Sequence, residues 1–211
     1  MKKYVIGGCG VALALLLLLV VIFGLGMWGG NNRMVRLSQG VNQQWAQVQN
    51  NYQRRYDLIP NLVNTVKGAA NFEQSTLVQI TEARASVGKV QINATSAPNE
   101  AEQLEAFQKA QGQLSSALSR LLVVSERYPD LKANANFRDL QAQLEGTENR
   151  IAVARKDFND AVMAYNTSIR TFPAVVYSGW LGYKEKPYFA ATTGSETPPA
   201  VNFDFVKSTN K

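Results

Sequence analysis

The sequence has no histidine and one cysteine among its 211 residues. Histidine is the commonest general base and metal ligand, so its absence excludes Ser-His, Cys-His and His-metal sites. The single Cys9 cannot form a disulfide within the chain. We therefore predict a protein that is not an enzyme, with no catalytic residue, no bound metal and no cofactor.

The sequence also lacks a block of charge of either sign. Its 22 Lys and Arg residues stand against 16 Asp and Glu, which gives a net charge of +6. Lys2 and Lys3 supply two of these charges, and the remaining +4 is dispersed along the rest of the chain. A protein that follows the phosphates of a nucleic acid needs its basic residues in a patch or stripe. The dispersed pattern predicts no nucleic-acid partner.

A long run without any charge occurs near the N-terminus, from Tyr4 to Trp28. At about 1.5 Å per residue, a helix of this length exceeds the ~30 Å hydrocarbon thickness of a bilayer. Tyr4 and Trp28 stand where interfacial aromatic residues belong, and no A-x-A-like cleavage site follows. Residues 1–31 are therefore predicted to be a single-pass membrane anchor. Cys9 precedes most of the apolar run, whereas a lipoprotein box follows it, so Cys9 fits a residue within the spanning helix.

The orientation of this anchor stays open. Lys2 and Lys3 precede the apolar run and Arg33 and Arg36 follow it, so the positive-inside bias nearly cancels. The sequence does not decide which side of the membrane carries the rest of the chain.

Beyond the anchor, apolar residues recur every three or four positions and no segment alternates with period two for long. This pattern predicts an all-α fold, an antiparallel bundle of four long helices over residues 32–172. Three of the helices are expected at about 58–92, 99–127 and 131–171. Residues 173–211 are rich in Gly, Pro and aromatic residues, so we predict an irregular tail that packs partly on the bundle.

The stretch RRYDLIPNLVNTVKG (54–68) places Pro60 within a helical pattern. Two interpretations are open. In the first, the chain reverses near residues 54–57, Asp57 caps a new helix and Pro60 lies in its first turn. In the second, one kinked helix continues through the proline. We favour the reversal, because a straight helix would carry the apolar stripe around Trp45 past the ends of the other helices. No glycine marks the turn, which argues the other way.

The same stretch supplies the first candidate site. It is a structural corner or a partner-binding surface formed by Arg54, Arg55, Asp57, Pro60 and Asn61. The guanidinium groups suit recognition of a partner, but capping and local pairing explain the same residues and are favoured here.

A second set of polar residues lies in the last predicted helix. Asn159, Tyr165 and Asn166 are spaced i, i+6 and i+7, close to one face. Side chains in this arrangement fit a buried polar network reaching across the bundle to residues 54–61 better than a ligand site.

These residues also carry a family resemblance. RRYDLIPNLVNTVKGAA followed by TEARA (81–85) resembles the signature of the LemA family. DFNDAVMAYNTSIRTFPAVVYSGWLGYKEKPYF (157–189) and VNFDF (201–205) resemble its C-terminal signature, and the short apolar anchor matches too.

The resemblance implies a bacterial protein of the cell (inner) membrane, with one N-terminal helix and an antiparallel bundle. It implies no catalytic residue. Relatives occur in magnetosome formation, and others are encoded near membrane metalloproteases, which would make such proteases or other envelope proteins the expected partners. We therefore expect a scaffold or adaptor at the membrane. The alternative is a self-assembling homo-oligomer that organises or shapes membrane, joined through heptad-like seams of coiled-coil type at Trp45 and in the last helix.

Overall fold

The computed structural model describes residues 2–68, 72–90 and 96–190, and of residues 2–13, 19 and 23 it describes the backbone alone. The described residues form six α-helices and no strand, which confirms the all-α prediction. The helices are α1 (Lys2–Lys67), α2 (Gln74–Lys89), α3 (Ala101–Ser125), α4 (Pro129–Ala133), α5 (Ala135–Arg170) and α6 (Ala174–Tyr177).

Helix α1 continues without a break from Lys2 to Lys67, with Pro60 inside it. The predicted reversal near residues 54–57 is therefore wrong, and Asp57 does not cap a helix. Its carboxylate instead accepts a hydrogen bond from Gln53 Nε2, one turn earlier on the same exposed surface, at 2.7 Å. The helix stops at Gly68, where a turn begins.

Helix lengths explain why the apolar stripe of α1 does not project beyond its neighbours. From Met34 to Lys67 the helix is about 50 Å long, and the 36 residues of α5 span about 54 Å. The two helices pack against each other over this length. The expectation that a straight helix would carry the stripe past the ends of the other helices is therefore wrong.

The core consists of two apolar clusters placed one after the other along α1. We call the first the Trp45 cluster; it includes Met34, Val41, Trp45, Phe158 and Phe189. We call the second the Leu62 cluster; it includes Ile59, Leu62, Val66, Leu118 and Phe137. Helices α1 and α3 run in the same direction. Phe107, near the start of α3, contacts Tyr52, and Leu121, near its end, belongs to the same cluster as Val66, which comes later in α1.

Trp45 is fully buried at the centre of the first cluster. Its ring centroid lies 5.6 Å from those of Phe107 and Phe158 and 6.1 Å from that of Phe189. Aromatic rings at these separations stabilise one another beyond the effect of burial alone. The seam between chains proposed at Trp45 is therefore wrong, because the side chain is used inside one chain.

The described part of the tail crosses the bundle end and then follows α5. Helix α6 is a single turn, and residues 183–190 have no regular structure. Phe189 is buried, Tyr183 is half-buried, and Trp180 and Tyr188 are exposed. The final signature VNFDF (201–205) lies outside the described residues.

The N-terminal part of α1 has the length and the apolar composition needed to cross a bilayer, and in the described residues its side chains are not buried against the bundle. Trp28 is 73% exposed at the end of this part. The side chains of Tyr4 and Cys9 lie outside the described residues. The predicted boundary between residues 31 and 32 falls within α1 and stays a prediction.

Replacing Pro60 tests whether α1 is continuous in solution. Proline in a helix interior removes one hydrogen bond and crowds the preceding turn. P60A should therefore raise the free energy of unfolding by about 1–3 kcal/mol. The measurement is chemical denaturation of the detergent-solubilised chain followed by circular dichroism.

Pro129 is the matched control, because it occupies the first turn of α4. There proline suits the backbone, so P129A should lower the stability by about 0.4–1 kcal/mol. A loss of stability in P60A like that in P129A would mean that Pro60 also begins a helix.

Candidate functional site

The predicted corner residues separate into two groups on α1. Arg54, Asp57 and Asn61 are exposed, Pro60 is half-buried, and Arg55 is 1% exposed. The three exposed residues lie on the outer face of α1, whereas Arg55 and Ile59 lie on its buried face. Only Arg55 enters the bundle, so the five residues do not form one site.

The guanidinium of Arg55 joins three helices. Its Nη1 donates to Ser115 Oγ on α3 at 2.7 Å and to Glu148 Oε1 on α5 at 2.6 Å. Its Nη2 donates to the side-chain oxygen of Gln111, also on α3. A planar group with several fixed donors suits such a junction, which a flexible ammonium would satisfy less well.

This polar layer lies between the Trp45 cluster and the Leu62 cluster. Tyr52 precedes Arg55 in the first cluster, and Ile59 follows it in the second. The guanidinium carbon lies 5.0 Å from the centroid of the Tyr52 ring. Burial raises the pKa of the Tyr52 hydroxyl, while the positive charges of Arg155 and Arg55 act in the opposite direction.

The two ions of this layer differ in their access to water. Arg55 is enclosed, whereas the Glu148 side chain is 43% exposed. A carboxylate at the surface keeps much of its hydration, but a buried guanidinium relies on its protein partners. Arg55 therefore needs the charge of Glu148 more than Glu148 needs the charge of Arg55.

The two asparagines of the second candidate set hold the tail through its backbone. Asn166 Nδ2 donates to the Lys186 carbonyl, and Asn166 Oδ1 accepts from the Lys186 N–H, both at 2.9 Å. Asn159 makes the same pair of bonds with Phe189, at 3.1 and 2.9 Å. Each side-chain amide thus pairs with one residue of the tail as a neighbouring strand would. We call residues 183–190 the strap.

Tyr165 and Lys186 complete the contacts of the strap. Tyr165 Oη donates to the Lys184 carbonyl at 3.0 Å, and Lys186 Nζ donates to Asn99 Oδ1 at 3.1 Å. Burial raises the pKa of Tyr165 and lowers that of Lys186. The three predicted network residues therefore meet at the strap, and the expectation that they reach residues 54–61 is wrong.

Sequence reasoning missed the partners of both sites. Gln111, Ser115 and Glu148 belong to helices far away in the chain, and no spacing links them to Arg55. The strap residues contribute backbone groups, which have no signature in side-chain chemistry. The i, i+7 spacing of the asparagines was the available signal, since it places two amides about 10 Å apart on one helix face.

The described residues contain no group of three or more His, Cys, Asp or Glu side chains able to hold a metal. The buried polar groups of both sites bind the chain to itself. What the arrangement can do is fix the positions of α1, α3, α5 and the strap.

The unequal exposure of Arg55 and Glu148 predicts unequal costs of removing them. E148A leaves a buried positive charge without its carboxylate and should lower the free energy of unfolding by about 3–5 kcal/mol. R55M removes that charge and should cost about 1–3 kcal/mol, from the hydrogen bonds lost by Gln111 and Ser115. Denaturant titrations measure both, and R54M, the exposed neighbour, should stay within about 0.5 kcal/mol of the original chain. Equal losses in R54M and R55M would contradict the buried layer.

The paired amides predict which backbone hydrogens each asparagine protects from exchange. In N166A the N–H of Lys186 loses its acceptor, and in N159A the N–H of Phe189 does so. Each should exchange about fivefold faster, the equivalent of the ~1 kcal/mol of one hydrogen bond. Residue-resolved hydrogen exchange measures this, and each variant is the control for the other. Unchanged exchange at both positions would show that the amides do not hold the strap.

Comparison with known proteins places this arrangement in a family. Two magnetosome proteins MamQ of Paramagnetospirillum magneticum are each 33% identical over 89 residues, which cover 42% of this chain and 33% of theirs. The protein LemA of Metamycoplasma hominis is 25% identical over 144 residues, 68% of this chain and 61% of the relative. The chain thus matches less than two thirds of the length of each.

The model of the LemA family matches residues 44–203. This region includes the Arg55 layer, α2 to α6 and the strap, and it covers well over half of the sequence. The resemblance seen in the signature motifs is thereby confirmed, and the chain belongs to the LemA family.

Proposed function

We propose that this protein is a non-enzymatic scaffold that is anchored in the bacterial cell membrane and binds other proteins there. The observation that carries the proposal is the continuity of α1, which is both the apolar segment and a core helix of the bundle. No loop separates the two parts. A bundle attached in this way presents its faces at a fixed height and orientation above the membrane.

Two surfaces of the bundle suit a protein partner. One is the groove between α3 and α5, with an apolar floor that includes Leu62, Leu118 and Leu144 and with Glu145 at its rim. An amphipathic helix with basic flanks has the shape and charge to bind such a groove. The other is the outer face of α1, which carries the three exposed members of the predicted corner, Arg54, Asp57 and Asn61.

Photo-crosslinking in cells tests the proposal at both surfaces. A photoreactive amino acid replaces Ser119 in the groove or Asn61 on α1, and both positions are exposed. We expect irradiation to give an adduct with one defined protein from at least one of them, identified by mass spectrometry. Val153, exposed on α5 and outside both positions, is the matched control.

Each other outcome of the crosslinking is informative. Adducts between copies of this chain from several faces would replace the scaffold by the self-assembling alternative. Absence of any adduct, from cells in which the protein is present in the membrane fraction, would contradict both.

A further inference from the structure

The segment from Phe172 to Tyr183 lies beside the part of α1 where its apolar run ends. Tyr177 is buried, and its hydroxyl approaches Gly30 so closely that a β-carbon there would collide with it. Tyr183 Oη donates to Asn31 Oδ1 at 2.7 Å. Leu181 shares a groove with Gly24 and Trp28. These contacts fix the segment at the level of residues 24–31 of α1.

Large apolar side chains of this segment face outward. Phe172 and Trp180 are 83% and 85% exposed, and Val175, Val176 and Leu181 are exposed as well. On α1 at the same level, Trp28 is exposed too. Several large exposed apolar side chains within ten residues of a folded domain point to a contact with another apolar phase. We call this surface the Trp180 edge, defined by Phe172, Val175, Val176, Trp180 and Leu181.

The geometry of α1 identifies that phase. The hydrocarbon core of a bilayer takes up about 20 residues of helix, so a span that starts near Tyr4 leaves the hydrocarbon near Gly24. Residues 24–28 then lie in the interfacial layer, the depth that tryptophan and tyrosine prefer. Leu181, beside Gly24 and Trp28, must lie at that depth with them.

The charges around the Trp180 edge favour the same surface. Arg33 and Arg36 on α1 and Arg170 and Lys184 beside the edge are basic, while Glu185 alone is acidic within residues 24–38 and 170–185. Glu185 pairs with Arg170 at 3.5 Å. A net positive charge next to exposed aromatic residues suits the anionic headgroups of a bilayer.

We propose that the Trp180 edge inserts into the headgroup layer of the same bilayer that α1 crosses. The inference rests on the proposed anchoring by α1 and adds a second, independent contact with lipid. It seats the bundle directly against the membrane through two attachments, α1 and the edge, so the bundle does not stand off on one helix.

Fluorescence quenching by brominated lipid tests the contact. The full chain is placed in nanodiscs of phosphatidylcholine and phosphatidylglycerol, with or without bromine on the upper part of the acyl chains. The chain has three tryptophans, so W180F and W28F give the emission of Trp180 and Trp28 by difference, and the core residue Trp45 stays in place. Both replaced side chains are exposed, so neither substitution disturbs the packed core.

We expect brominated lipid to quench the emission of both Trp180 and Trp28. V123W is the matched control: Val123 is 71% exposed near the end of α3 that packs beside Val66, far from the apolar run, and a tryptophan there should not be quenched. Quenching of Trp28 without quenching of Trp180 would overturn the Trp180 edge and leave the anchor standing. Absence of quenching at Trp28 would overturn the anchor, and the edge with it.

Discussion

The buried guanidinium of Arg55 sets the register of α1, α3 and α5 in the bundle. It meets Ser115 and Gln111 on one side and Glu148 on the other, and each bond requires its helix at one height along α1. Apolar stripes alone tolerate sliding by a turn, because one leucine replaces another. A buried charge that must find its partners on two other helices does not tolerate it. The two apolar clusters can therefore lie on either side of this layer in a single arrangement.

In the strap, two asparagine side chains satisfy backbone groups of an extended segment. An extended segment that crosses a helical bundle finds no neighbouring strand for its N–H and C=O groups, and burying them unpaired would be unfavourable. Asn159 and Asn166 supply a donor and an acceptor each, one helical heptad apart. Phe189 can then enter the Trp45 cluster and stack within 6.1 Å of the indole. Through Phe189, the tail thus becomes part of the core between α1 and α5.

The helical class and the apolar run could be predicted from the sequence, because both depend on local patterns: apolar residues at every third or fourth position, and a long stretch without charge. The prediction of a reversal at residues 54–57 was wrong. Pro60 fits either the first turn of a new helix or the interior of a continuous one, and the length of α5 decides between the two. The sequence also did not predict the burial of Arg55, because arginine is seldom buried and the burial depends on partners from α3 and α5. Gly68 was the local signal for the true end of the helix, because glycine is common just after a helix C-terminus.

Continuity of α1 joins these constraints into one mechanical unit. From Asn31, just after the apolar run, α1 continues for 24 residues, about 36 Å, to the Arg55 layer. Over that distance the helix is supported by α5 on one side and by the strap and α6 near its base, so it cannot bend freely. A change in the tilt of the apolar segment must then move the grooves of the bundle as well. A flexible tether would separate the two motions, whereas this architecture couples them, as the proposed scaffold requires.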